Sequence, residues 1–363
     1  MQIQTPQQSA KSISAKPRVI FFGSFLEYSV KVLKALLEAH VSGKIELVGV
    51  VTTPPMPAGR KQELKKTPVH EFALGHGLEV FAPESLQGDF DYLPECEYFV
   101  TAGYGKLLPI SWLTFPKLAA LNIHFSLLPK YRGANPAEWA LLAGETTSGI
   151  SVIEMSPEFD TGAVLATVPI ALEPTDTRES VYEKLYDLAE KTAVTILLTD
   201  YSWRMSGAEV TNSSNEQISF YFPPQVQVES PTPYARKLAK DDAWISAEFL
   251  QIGMGIFHGS VDGDAFSEPI TQDMMSPFLW EQWQFAQKGQ ASAKKISPAA
   301  FLERAVRALV GFPCVWTEVE TSKGTKRLKI FSAKVVKSAL MLEEVQLEGQ
   351  QKSQWNQIKN SIL

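Results

Sequence analysis

The segment LNIHFSLLPKYRG, residues 121–133, sets a carboxamide, an imidazole and a hydroxyl at alternate positions, Asn122, His124 and Ser126. Side chains of a β-strand alternate between its two faces. A strand that buries Leu121, Ile123 and Phe125 therefore directs the three polar groups into one common space. A carboxylate follows downstream in EFDTGAVL, at Asp160. Acyl transfer to an amine passes through a tetrahedral intermediate bearing an oxyanion. It needs a donor aimed at that oxygen and a group to take the proton of the attacking nitrogen. An amide, an imidazole and a carboxylate that fixes the imidazole tautomer supply those parts. The chain has no Gly-x-Ser-x-Gly nucleophile elbow, which suits direct attack by a substrate amine. Taken singly, His124 reads as a satisfied strand histidine and Asp160 as ordinary Asp-x-Gly turn chemistry; the combination favours catalysis.

Alternating strands and helices are needed to hold these groups. RVIFFG (18–23), IELVGVVT (45–52), a short strand at 79–81, EYFVTAGYG (97–105) and LAALNIHFS (118–126) read as buried strands. Helical spacing in SVKVLKALLEA and a helix over VHEFALGHG, stopped at Gly75 or Gly77, separate them. This pattern predicts an α/β fold, a Rossmann-like parallel sheet with helices on both faces and its ligands beyond the carboxyl ends of the strands. Residues 150–172 read as two strands around the Asp160-Thr161-Gly162 turn, and a helix is expected from an acidic cap at Asp176. Phe301, Ala305 and Leu309 mark a helix leading into a strand, and KRLKIFSAKVV is a further strand. The domain reading is a leader at 1–16, a catalytic domain at 17–205, a linker at 206–233 and a small β-rich, barrel-like (OB-like) domain at 234–340. An unassigned insertion lies at about 252–297, and a frayed or weakly helical tail at 341–363.

The 363 residues suggest two domains, and 45% hydrophobic with 20% charged residues is enough for a full core. A net charge of −6 excludes a global polyanion-attracting field, so nucleic acid would have to meet a local basic patch. The KGTKRLK stretch (323–329) is one such patch, or a charged edge guarding a strand. Cys96 and Cys314 are far apart and read as reduced, packed thiols. His40, His70, His76 and His258 share no ligand spacing, so no metal is expected. No apolar run reaches the roughly 18–20 residues of a membrane span. The polar start lacks the apolar core of a signal peptide. A cytoplasmic monomer is the expectation.

NIHFSLLPKYRGANPAEWAL, with the later EFDTGAVL, resembles the formyltransferase family that uses 10-formyltetrahydrofolate, and in particular its branch acting on methionyl-tRNA. The hallmark is Asn-x-His-x-Ser-Leu-Leu-Pro followed by a distal Asp-Thr-Gly. Further likeness lies in RVIFFGS, VTTPPMPAGRKQELKKTPV, AGYGKLLP, YARKLAKDDAWIS and RLKIFSAK, and reaches from Pro17 to about Val336. The resemblance implies 10-formyltetrahydrofolate as co-substrate, no metal, and initiator methionyl-tRNA as partner. Asn122 would donate to the formyl oxygen. His124 would assist proton transfer and stabilise the oxyanion, and Asp160 would orient and charge-stabilise His124. Ser126, Leu127, Leu128 and Pro129 would line the folate pocket with Tyr104 and Gly105. Arg60, Lys61, Lys65 and Lys66 would meet the tRNA, and the C-terminal domain would hold it.

The sequence departs from the family at several places. AGRKQELKKTP lacks the Gly-Lys usual after the arginine, Ser151 stands where Thr is common, and FFGSFLEYS replaces Gly-Thr-Pro-Glu-Phe. The lone Gly23 cannot form a dinucleotide cradle, which argues against NAD. Other readings keep the same fold: a formyltransferase acting on an amino-sugar nucleotide, a formyltetrahydrofolate hydrolase with water as the nucleophile, or a folate- or RNA-binding protein without turnover.

Overall fold

The five residues RVIFF form β1 (Arg18–Phe22), whose Val19, Ile20, Phe21 and Phe22 are fully buried. Such a continuous apolar run requires cover on both faces and neighbours on both edges. In the computed structural model the neighbours are β2 (Glu46–Val51) and β6 (Tyr98–Thr101), both parallel to β1. The structure describes residues 15–58, 62–87, 91–206, 217–256, 270–288 and 295–362. The expected leader lies almost wholly outside them. Two units emerge, each discontinuous. One comprises Met1–Arg132, Gly149–Pro169 and Glu183–Thr232; the other comprises Gly133–Ser148, Ile170–Tyr182 and Pro233–Leu363. The division therefore does not follow a single linear boundary.

In the first unit, β5 (Val80–Phe81) extends the parallel set beyond β2, and β7 (Ala119–His124) extends it beyond β6. Helix α1 (Tyr28–Val41) lies between β1 and β2 in the chain, and α2 (Pro68–Gly75) precedes β5. The Thr67 hydroxyl accepts from the His70 amide to cap α2. The Pro- and Lys-rich loop before α2 contains a hairpin, β3 (Met56–Ala58) with β4 (Glu63–Lys65). A short α3 (Ile110–Leu113) precedes β7. Antiparallel strands complete the sheet. They are β8 (Thr147–Glu154) beside β7, then β9 (Val164–Ala171), then β10 (Ser219–Gln225) antiparallel to β9. The order is β10-β9-β8-β7-β6-β1-β2-β5. The sheet is thus mixed rather than wholly parallel. Residues 219–225, expected in a linker, are its edge strand, and an edge tolerates Pro223 and Pro224 because it can leave donors missing.

Helix α4 (Pro136–Ala143) belongs to the second unit, as does the start of α5 (Arg178–Ser206). The cap of α5 is Thr177 rather than Asp176. Thr177 Oγ1 accepts from the Ser180 amide and Ser180 Oγ from the Thr177 amide, while Asp176 braces the preceding turn by accepting from the Glu173 amide. The stretch at about 252–297, which has no simple pattern in the sequence, holds the end of α6 (Ala247–Gly253) and all of α7 (Pro277–Lys288). Together with α8 (Pro298–Leu309) these helices form an aromatic core, with Phe249, Phe301 and Trp283 packed edge to face. The small β domain is an antiparallel sheet of β11 (Trp316–Val319), β12 (Lys326–Val336), β13 (Ala339–Leu347) and β14 (Ser353–Gln354), in that order. The tail is therefore not frayed. Its first part is β13, and α9 (Trp355–Ile358) follows β14. Among the described residues no helix is long and apolar enough to cross a membrane.

Candidate active site

β7 carries Asn122 and His124 between a parallel neighbour, β6, and an antiparallel one, β8. Asn122 is half-buried and His124 only 5% exposed. The turn joining β8 to β9 brings in the carboxylate. Asp160 Oδ1 lies 3.4 Å from His124 Nδ1 and 3.4 Å from Asn122 Nδ2, which donates to it. Two of the three groups expected to act together, Asn122 and His124, thus meet the third at one of its oxygens. On its far side, His124 Nε2 lies 3.0 Å from the Tyr131 carbonyl oxygen. A neutral imidazole carries one N–H and can satisfy one of these two acceptors; the doubly protonated ring donates to both.

The Asp-Thr-Gly turn explains itself residue by residue. Asp160 has φ +56°, a left-handed backbone that Asp tolerates better than most residues. Thr161 Oγ1 is bonded to Ser156 Oγ at 2.8 Å. At Gly162 a Cβ would lie 1.7 Å from the Glu154 carbonyl oxygen, so only glycine fits. The Glu154 amide donates to the Ala163 carbonyl and closes the turn at 2.9 Å.

Ser126 lies beyond the strand and does not continue the polar row. Its hydroxyl donates to the Lys130 carbonyl at 2.6 Å, inside the Leu-Leu-Pro turn. The fully buried Ser151 hydroxyl donates to the Ser126 carbonyl at 2.8 Å and accepts from the Leu128 amide at 2.9 Å. Ser151 sits opposite His124 in the β7–β8 register, so one hydroxyl anchors the turn that follows the histidine. Its signal in the sequence is a polar residue inside the apolar run ISVI. Leu128 packs with Ile153 and Val164. Leu127 and Pro129 are half-buried, and Gly105 is exposed with φ +75°. The Tyr104 ring is buried edge-on to Phe22, and burial pushes its phenol up to about 12.

At the switch point of the sheet, between β1 and β6, the two loops bond to one another. The Ser24 amide donates to the Gly103 carbonyl, Ser24 Oγ to the Tyr104 carbonyl at 2.8 Å, and Ser29 Oγ to the Ala102 carbonyl at 2.7 Å. The convergent polar groups lie at the next strand, β7. Lys65 and Lys66 are exposed on and after β4, while Arg60 and Lys61 fall outside the described residues. Among the described residues no group of three or more His, Cys, Asp or Glu could hold a metal.

A contact that sequence reasoning missed runs behind the site. Gln227 Nε2 donates to the carbonyls of Asp160 (2.8 Å) and Gly162 (2.7 Å). Its Oε1 accepts from Arg132 Nε (3.0 Å) and Nη2 (2.8 Å). Arg132, in the turn that follows β7, holds Gln227. Nothing in a polar PPQVQVES stretch signals that one glutamine is engaged.

In this chain the Asn-x-His strand and the Asp-Thr-Gly turn meet on an α/β sheet. The formyl transferase family model matches residues 17–197. A methionyl-tRNA formyltransferase of Idiomarina loihiensis is 30% identical over 89% of this chain and 81% of its own length. The chain belongs to the formyl transferase family. A methionyl-tRNA formyltransferase of Gluconobacter oxydans is 40% identical over 50% of this chain; the match spans 59% of that relative's length. A sugar N-formyltransferase from Shewanella sp. FDAARGOS_354 shares the fold, with TM-score 0.50 and 14% identity over 88% of this chain and 99% of its own.

Proposed function

We propose that this chain transfers a formyl group from 10-formyltetrahydrofolate to the amino group of initiator methionyl-tRNA. The observation that carries the reading is the convergence of Asn122 Nδ2 and His124 Nδ1 on Asp160 Oδ1, each at 3.4 Å. The likeness to methionyl-tRNA formyltransferases, which extends over 81% of one of them, supports the choice of acceptor.

The amine attacks the formyl carbon and a tetrahedral intermediate forms. The Asn122 carboxamide has two N–H groups, and one serves the developing oxyanion. The His124–Asp160 pair takes the proton from the attacking nitrogen. The C–N bond to the donor then breaks, its nitrogen is protonated, and tetrahydrofolate leaves. A positively charged ring beside Asn122 stabilises the oxyanion. Leu127, Pro129 and Gly105, backed by Ser126, Leu128 and Tyr104, would hold the folate. Lys65 and Lys66, with Arg60 and Lys61, would meet tRNA phosphates.

The test incubates the protein with 10-formyltetrahydrofolate and, separately, charged initiator tRNA, an amino-sugar nucleotide, or buffer alone. Formyl incorporation into the aminoacyl-tRNA, weakening steeply as salt rises, is the expected outcome. Incorporation only into the sugar, or release of formate without any acceptor, overturns the reading.

A further inference from the structure

We propose that Gln227 is a positioning residue that sets the Asp160 carboxylate against the His124 ring. The inference rests on the proposed formyl transfer for its kinetic arm only.

A closed circuit of contacts surrounds the pair. Asp160 Oδ1 lies 3.4 Å from His124 Nδ1, and His124 Nε2 lies 3.0 Å from the Tyr131 carbonyl. The Tyr131 amide donates to Thr232 Oγ1 at 2.7 Å. The next residue, Arg132, donates twice to Gln227 Oε1 and once to the Val228 carbonyl at 3.0 Å. Gln227 Nε2 returns the circuit to the Asp160 and Gly162 carbonyls. One carboxamide therefore uses both donors and both lone pairs. It joins the turn that carries the carboxylate to the segment that carries the acceptor of the opposite ring nitrogen.

Two features make this more than packing. Val226 and Val228, on either side, are 81% and 71% exposed, so their side chains add little packing and the segment is held here by the Gln227 carboxamide and the Val228 carbonyl. Asp160 is held in a left-handed backbone, a conformation that persists only when its surroundings determine it. Releasing the two carbonyls lets the turn relax and the carboxylate drift from the ring. Misplacement by about 1 Å costs on the order of 100-fold in rate.

Glutamate separates the two halves of the contact. Gln227→Glu keeps, and charges, the acceptor for Arg132 but sets a carboxylate oxygen against the carbonyls of Asp160 and Gly162. Gln227→Ala removes both halves. Steady-state kinetics and the ¹⁵N shifts of the His124 ring, identified among the five histidines with a His124→Asn variant, are measured in both. The expected result is a fall in kcat of about 10- to 100-fold in each, with KM for the formyl donor within about twofold. The His124 Nδ1 signal should move as its partner retreats. Unchanged ring signals overturn the proposal whatever happens to the rate, and so does a Gln227→Glu enzyme as fast as wild type. Should wild type transfer no formyl group while the ring signals still move in the variants, the functional reading fails and the positioning role stands.

Discussion

Asp160 answers two demands that substitution can separate. It supplies charge beside His124, and it occupies a backbone with φ +56°. Asn meets the second demand as well as Asp does, and lacks the charge. Asp160→Asn should therefore lower kcat by about two to four orders of magnitude while leaving the turn's backbone conformation unstrained. Asp160→Ala should lose the same rate and about 1 kcal/mol of stability, because alanine resists the left-handed region. Rates and urea midpoints decide it; a fast Asp160→Asn enzyme removes the charge from the mechanism. At this scale the sequence was legible where chemistry is unusual. Asn122, His124 and Asp160 stand out only in combination, since His124 and Asp160 each have an ordinary structural reading alone. Ser126 falls outside the alternation because β7 ends at His124. The Gln227–Arg132 contact was illegible because it joins residues 95 positions apart through ordinary side chains.

β8 is where an element does the work of a site. Ser151 is fully buried and holds both ends of a turn, the Ser126 carbonyl and the Leu128 amide. Ser151→Ala leaves those buried groups unsatisfied, at a cost of about 1–3 kcal/mol. The urea midpoint should fall with the slope unchanged, and an unaltered midpoint would show that water replaces the hydroxyl without loss. The parallel strands were legible because a run buried on both faces admits few alternatives. Other elements hid for identifiable reasons. β10 carries Pro223 and Pro224, which read as linker unless its edge position is known. α7 buries Leu279, Gln282, Trp283 and Ala286 at helical spacing, but the polar Gln282 breaks the apolar stripe. The pairing of β12 with β13 shifts register around Ser332, which blurs the period-two pattern of both strands.

Each unit of the molecule carries one buried thiol, Cys96 in the first and Cys314 in the second. Burial pushes Cys96 up to about 12 and Cys314 up to about 11. An exposed thiol in the unfolded chain ionises near pH 8.5, roughly. The folded pKa being the higher, the stability linked to each thiol is fully present below about pH 8.5 and is lost as pH rises toward the folded value. Denaturation midpoints should therefore decline above about pH 8.5, and Cys96→Val should flatten the decline in the first unit. The same burial makes each thiol a reporter of its own unit. At pH 8 a thiol reagent should label native protein only as fast as a unit opens. The Cys96→Val and Cys314→Val variants would assign the two phases. If the units open independently, the rates will rise with different denaturant slopes; if they open together, the slopes coincide. Prompt stoichiometric labelling of either thiol in buffer would show that its surroundings are open to water, contrary to the 1% exposure of both side chains.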